Sequence, residues 1–306
     1  MWYLLYNVLL LLASPVILLV LLGKKRCRRG LLQRLGRLPA RLRHDGRPVL
    51  WVHAVSLGEA VAIVPLVRAM KQRYPHHRMV VSTVTETGRE AVEQRLEGLA
   101  EHCYAPLDLP WVVAKVVRIL RPSAFLFVET ELWPNLLRAL FRSRVPSILI
   151  NGRLSSRSFG RYRMVRPFLQ QVLGQVNGCL MQSDRDVERI VALGAPPERV
   201  HRTGNIKFDQ PMVAGAGPHA GPTRAVLGVA PAADLLVAGS THPGEEEQLL
   251  GCFQALRREF PSLALVLAPR HIERVAEVET VVRQAGWSVR RRSAAGSAAP
   301  ADVVEV

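Results

Sequence analysis

Residues 48–74, PVLWVHAVSLGEAVAIVPLVRAMKQRY, decide the fold. PVLWVHAV is a short, nearly unbroken apolar run, as expected of a strand covered on both faces. A long amphipathic stretch with helical spacing follows it. The same unit recurs: HRMVVSTV then GREAVEQRLEGL, SAFLFVE then WPNLLRALFRS, and PSILING then a basic segment with PFLQQVLGQV. Apolar strands alternating with helices predict an α/β architecture built on a parallel sheet.

Beyond GNIKFDQ the chain turns rich in Gly, Ala and Pro over PMVAGAGPHAGPTRAVLGVAPAAD, which reads as a linker and the entry to a second unit. The pattern resumes with DLLVAGS, EEEQLLGCFQALRREF, LALVLA, IERVAEVETVVRQAG and WSVRRR; a low-complexity SAAGSAAPAD and the strand-like DVVEV close the sequence. The expectation is two α/β domains, 48–210 and 211–306, the second incomplete. Ligands of such sheets bind beyond the carboxyl ends of the strands.

Upstream, residues 3–22 carry no charge, about the 20 apolar residues needed to span a bilayer. Nine Lys or Arg residues then fall between Lys24 and Arg43, and none precedes the apolar run. This pattern predicts a transmembrane anchor at 1–23 and a basic juxtamembrane segment at 24–47. By the positive-inside rule the body lies on the cytoplasmic side. Arg28, Arg29, Arg34, Arg37, Arg41 and Arg43 either only set this topology or also lie on anionic headgroups.

Lysine and arginine outnumber the acidic residues 41 to 25, a formal charge of +16, so an anionic partner is expected: nucleic acid, phosphorylated lipid or an acidic membrane surface. No nucleic-acid-binding module is recognisable. Cys27, Cys103, Cys179 and Cys252 form no CxxC pair, which argues against a zinc site or a disulfide framework.

Ser56 and Glu59 form the S-x-x-E of a capping box ahead of an apolar helix. They also follow a buried strand, on the rim where substrates sit, and Gly58 permits close approach of a ligand. The two roles conflict, because a helix start holds a carboxylate low and weakens it as a base. Glu129 and Glu131 follow another strand ahead of Pro134, where they either meet a helix dipole or face the cleft. Arg153, Arg157, Arg161, Arg163 and Arg166 form a solvated basic face or a phosphate grip. GSTHPGEEE and APRHIE each join a strand to a helix, and Ser240, Thr241, His242 and Arg270 would supplement helix-start amides around a phosphate. No Walker loop or GxGxxG is present. Asp184 and Asp186 imitate the D-x-D of metal-dependent sugar transferases, but Ser183 and Asp184 read better as caps of the helix that follows.

VSLGE, ETELWPNLL, NGRLS, GNIKFD, GSTHPGEEE and APRHIE, in this order, resemble the 3-deoxy-D-manno-octulosonic acid (Kdo) transferases of Gram-negative bacteria. The resemblance runs from about residue 1 to 290. It implies the two-domain Rossmann-like B-type glycosyltransferase fold and transfer of Kdo from CMP-Kdo to the lipid A precursor, with inversion and no metal or cofactor. It also implies a setting at the cytoplasmic face of the bacterial inner membrane, with anionic lipids as partners and no nucleic acid. By position it makes Glu59 the general base, Glu129 and Lys207 transition-state stabilisers, and Pro269 and Arg270 part of the CMP site, joined by Ser240, Thr241 and His242. Ser56, Gly58, Arg153, Arg157 and Arg161 are the acceptor candidates. Family members continue through a glycine-rich loop and an N-P-L-E-P motif that this sequence lacks. The alternatives are a catalytically silent, membrane-tethered basic module and a B-type transferase for another nucleotide sugar.

Overall fold

The computed structural model describes residues 1–23, 29–209, 229, 233–291 and 303–305. The chain divides into two compact units, Met1–Pro211 and Met212–Val306.

Unit 1 is built on seven strands: β1 (Val49–His53), β2 (Arg78–Thr83), β3 (Glu101–Tyr104), β4 (Pro122–Val128), β5 (Ser147–Gly152), β6 (Gly178–Met181) and β7 (Val200–Arg202). They pair in parallel in the order β3-β2-β1-β4-β5-β6-β7. The order reverses between β1 and β4, the place where a doubly wound sheet opens a ligand crevice at its carboxyl edge. Ten helices surround this sheet among the described residues: α1 (Trp2–Gly23), α2 (Leu31–Arg34), α3 (Leu57–Ala62), α4 (Val64–Arg73), α5 (Glu86–Arg95), α6 (Pro110–Leu120), α7 (Pro134–Arg142), α8 (Ser156–Met164), α9 (Arg166–Leu173) and α10 (Asp184–Ala192).

The unbroken apolar strands follow from burial on both faces. Trp51, Phe125 and Phe127 pack into one core with Leu136 and Leu140, whereas their neighbours Val52, Leu126 and Val128 pack into the other with Val67 and Val81. Local chemistry starts the helices: Ser56, Thr85, Ser155 and Ser183 each accept a backbone N–H at a helix start, and Pro110 and Pro134 open α6 and α7.

α1 forms where the apolar run predicts it but docks on the body. Buried Tyr3 hydrogen-bonds the Pro134 carbonyl (3.3 Å) and the Gln175 side chain (3.1 Å) and sets its ring edge-on to Phe168. The Tyr6 hydroxyl donates to Asp108 at 2.8 Å, and the Asn135 side chain donates to Asn7 at 2.7 Å. Among the described residues no helix is long and apolar enough to cross a membrane. This corrects the expected transmembrane anchor at 1–23, because the first two turns commit three side chains to the folded domain.

The basic segment needs a second correction. Residues 24–28, Arg28 included, lie outside the described residues. Arg34 is not presented to headgroups: it is 5% exposed, donates to the Val84 carbonyl at 2.5 Å and covers the Tyr104 ring. Arg29 pairs with Glu86 at 3.1 Å. Burial works against the Glu86 carboxylate, but hydrogen bonds from Tyr104, Arg89 and Arg29 prevail and hold it at about 2.

Unit 2 holds β8 (Leu235–Thr241), α11 (Glu245–Glu259), β9 (Ala264–Pro269), α12 (Val275–Gln284), β10 (Ser288–Arg290) and β11 (Val303–Glu305). The strands are parallel in the order β10-β11-β9-β8, so the DVVEV segment inserts between two earlier strands. The expected linker over 211–234 lies almost wholly outside the described residues, and the low-complexity stretch lies outside them altogether.

Candidate functional site

The crevice side of unit 1 gathers acids from the two strands at the reversal point. β1 leads into Ser56 and Glu59, and β4 leads into Glu129 and Glu131. The capping box is made: Ser56 Oγ accepts the Glu59 N–H, while the Glu59 carboxylate takes the Val55 N–H and the Ser56 hydroxyl, each at 2.8 Å. Glu59 is only 7% exposed. Burial raises its pKa, outweighing the lowering bonds from Val55 and Ser56, and the negative charge of Glu129 adds to the rise. This reverses the expectation that the helix start would weaken Glu59 as a base. Each carboxylate oxygen keeps acceptor capacity beyond its one local bond.

Glu129 adopts a left-handed backbone (φ 56), uncommon for a residue other than glycine, and its N–H donates to the Ile150 carbonyl. Its carboxylate lies 3.4 Å from Lys207 Nζ. Lys207 therefore pairs within unit 1, on the turn Ile206–Asp209. Glu131 is raised by burial and then by the charge of Glu59, and it accepts the Trp133 indole N–H at 3.3 Å. Three carboxylates thus influence one another beside a single lysine that bonds one of them.

Two supporting residues receive no role from the sequence pattern. Asn151, at the end of β5, is also left-handed (φ 53), and its side-chain oxygen accepts the Ile206 N–H at 3.1 Å, fixing the turn that carries Lys207. Its Asn-Gly pairing was the available signal, since Asn tolerates that conformation better than most residues. His53 is buried at the end of β1, bonded to Ser82 and set edge-on to Trp133. Burial lowers its pKa to about 4, so near neutral pH it brings no charge to the acids.

The acceptor candidates lie on the same unit. Gly58 is exposed, with open space where a Cβ would stand. Arg153, Arg157 and Arg161 are exposed on α8 and the turn before it. α8 is tied to the body by Arg189, which donates to Ser156 at 2.7 Å and covers the Phe159 ring. Asp184 pairs with Arg202, and buried Asp186 accepts the Leu154 N–H, so the two aspartates have separate structural partners.

In unit 2 the register of β8 against β9 brings the nucleotide candidates together. Thr241 pairs with Pro269, and the Arg270 N–H donates to the Thr241 carbonyl at 3.0 Å. A register shift between Gly239 and Thr241 turns Ser240 into a left-handed conformation (φ 61) and leaves it exposed. His242 faces His271. The expected row of open amides is partly filled: the His242 N–H bonds Glu245, and buried Glu246 is clamped by Arg274. The first turn of α11 thus supplies its own anions.

Comparison with known proteins adds the lineage. Residues 29–210 match the family model described as 3-deoxy-D-manno-octulosonic-acid transferase (kdotransferase). The 3-deoxy-D-manno-octulosonic acid transferase of Haemophilus influenzae is 34% identical over 96% of this chain and 69% of its own length. That of Chlamydophila psittaci is 33% identical over 77% of this chain and 54% of its own. The chain thus spans about half to two thirds of these relatives. Among solved structures, the UDP-GlcNAc 2-epimerase from Neisseria meningitidis bound to UDP-GlcNAc superposes with a TM-score of 0.56 over 85% of this chain and 71% of its own. Its 12% identity shows the fold alone, α/β and Rossmann-like, of the kind shared with B-type glycosyltransferases. The family match covers the strand-end acids, Asn151 and Lys207, and on these grounds the chain belongs to the 3-deoxy-D-manno-octulosonic acid (Kdo) transferase family of glycosyltransferases.

Proposed function

We propose that this chain carries the unit that transfers Kdo from CMP-Kdo to a hydroxyl of the lipid A precursor, in lipopolysaccharide biosynthesis at the cytoplasmic face of the inner membrane. Glu59 removes the proton from the acceptor hydroxyl, the freed oxygen attacks the anomeric carbon, and the bond to the CMP phosphate breaks with inversion. No metal or cofactor has a role in this reading. The observation that carries it is the buried Glu59 carboxylate, its pKa raised, at the strand-order reversal beside the Glu129–Lys207 pair. Burial makes a carboxylate a stronger base, and a positioned base contributes about 100- to 10,000-fold.

Glu129 and Lys207 stabilise charge as the sugar–phosphate bond breaks. Ser56 and Gly58 border the acceptor hydroxyl, and Arg153, Arg157 and Arg161 take the acceptor's phosphates. In unit 2, Ser240, Thr241, His242, Pro269 and Arg270 hold CMP, with Glu245 giving up the His242 N–H when phosphate enters. The body works at a lipid surface, where the exposed apolar side of α1 and the positive charge of the chain favour anionic lipid.

The test is incubation of the purified chain with CMP-Kdo and lipid A precursor, followed by mass analysis of the lipid, beside the same chain carrying Glu59→Gln. Lipid heavier by Kdo with the wild type and not with the variant supports the reading. Equal product from both removes Glu59 from the mechanism. No product from either, with CMP still bound, means that the transfer needs more than these residues provide.

A further inference from the structure

A cavity of about 530 Å³ lies between α6 and α7, and four arginines line it: Arg118, Arg121, Arg138 and Arg142. No acidic residue lines it, and among the described residues none of the four guanidinium groups pairs with a carboxylate. Arg138 and Arg142 stand one turn apart on α7, an arrangement in which like charges repel. Arg121 occupies the left-handed position that ends α6 (φ 45), where glycine is the unstrained choice. Arg118, Arg121 and Arg142 are exposed and Arg138 is half-buried, so the concave site presents its cations to solvent, where an anion can reach them. The planar fork of arginine fits phosphate in particular.

The rim of this cavity identifies the source of the phosphate. Asn7 of α1 and Asn135 of α7 line it and bond each other, and the Arg138 guanidinium lies over the Tyr3 ring at 4.2 Å. The residues that flank Asn7 on α1 are apolar and face solvent: Leu4 is 70% exposed, and Val8 and Leu11 are exposed as well. The same helix therefore borders a cationic cavity and presents an apolar surface beside it, a pairing that suits a molecule with a phosphate head and acyl chains.

We infer that the α6–α7 cavity binds the headgroup phosphate of an anionic membrane phospholipid, whose chains run along the exposed side of α1. The site is separate from the acids around Glu59. It deepens the proposed setting at a lipid surface and rests on that part of the reading, not on the transfer chemistry.

The test is binding of the full chain to vesicles of phosphatidylcholine alone and of phosphatidylcholine with phosphatidylglycerol, with no sugar nucleotide or acceptor present. Three proteins are compared: wild type, Arg118→Gln/Arg142→Gln, and the control Arg73→Gln/Arg95→Gln, which loses the same charge on exposed helix positions elsewhere. The expected result is preference for the phosphatidylglycerol vesicles, weakened about tenfold or more in the cavity variant and less than threefold in the control. Equal weakening in both variants, or none in the cavity variant, overturns the site. Competition by millimolar inorganic phosphate that abolishes the preference assigns the cavity to a free anion and also overturns it. Absence of wild-type binding to either vesicle overturns the lipid-surface reading itself, while the transfer assay with dispersed acceptor still stands. Melting temperatures of the three proteins confirm that they are folded.

Discussion

The Lys207 ammonium stands 3.4 Å from the Glu129 carboxylate, and each residue reaches that point on backbone held at a strand end. Glu129 sits in a left-handed turn after β4, while Lys207 rides a short helical turn whose first N–H is bonded by Asn151, itself left-handed at the end of β5. The pair is thus positioned by the edge of the sheet.

Removal of this cation separates catalysis from stability. Lys207→Ala is expected to lower turnover about 100-fold or more, the scale of one lost charge-stabilising contact. Both partners are partly exposed, so the pair contributes at most about 1 kcal/mol to folding. Steady-state kinetics beside thermal melting make the check; a large loss of melting temperature with unchanged turnover contradicts the assignment.

Asn151→Gly tests the support beneath the lysine. Glycine accepts the φ of 53 without strain, so the substitution removes the bond to Ile206 and leaves the backbone free to keep its turn. Turnover should fall about tenfold while CMP affinity, measured by calorimetry, holds. Unaltered turnover would show that Lys207 needs no such anchor.

The acid side of the pH–rate profile reports on Glu59. Its pKa lies above the ordinary 4.5, and a general base works only when deprotonated. The rate should therefore decline as pH falls through that raised value. In Glu59→Gln the remaining rate, about 100- to 10,000-fold lower, should lose that limb. An identical limb in the variant assigns the titration to another group, of which Glu131, also raised by burial, is the first to test.

Asp108 couples α1 to α7. Its carboxylate accepts the Tyr6 hydroxyl and the N–H groups of Asn135 and Leu136, serving as a helix cap supplied from outside the helix. Asp108→Ala should cost about 1–2 kcal/mol, as for other lost caps, and should expose α1 to protease. Burial raises the Asp108 pKa to about 6, so the folded state holds its proton more tightly than the unfolded chain. That contribution is complete at low pH and is lost as pH rises through 6. Wild type should accordingly lose ground to Asp108→Asn between about pH 4 and 6, with little further change above that, in paired melting curves.

Much of this was legible because local chemistry carried it. The apolar runs from Val49 to Gly152 reveal four of the strands, β1, β2, β4 and β5, since burial on both faces leaves no polar alternation to confuse the reading, whereas the short β3, with its Glu101 and His102, offers no such run. The S-x-x-E pattern specified a capping box, and the box is made. What escaped depended on partners far away in the chain. Nothing near Tyr6 announces Asp108, 102 positions on, and a run of leucines around it reads as membrane whichever side faces protein. Nor does local pattern decide between capping and catalysis at Glu59, because the burial that raises its pKa comes from the whole rim. β11 was read as a strand, but its place between β10 and β9 is a property of the assembled sheet.

The attachment of α1 bears on how such a protein is handled. Trimming leucine-rich leaders is a common route to better yield, and residues 1–23 invite it. Here that cut would leave the Asp108 carboxylate without its tyrosine donor, strip the ring that lies under Arg138 and bare one side of Phe168. Preparations made that way should be judged as altered proteins, and poor behaviour in them would say little about the intact chain.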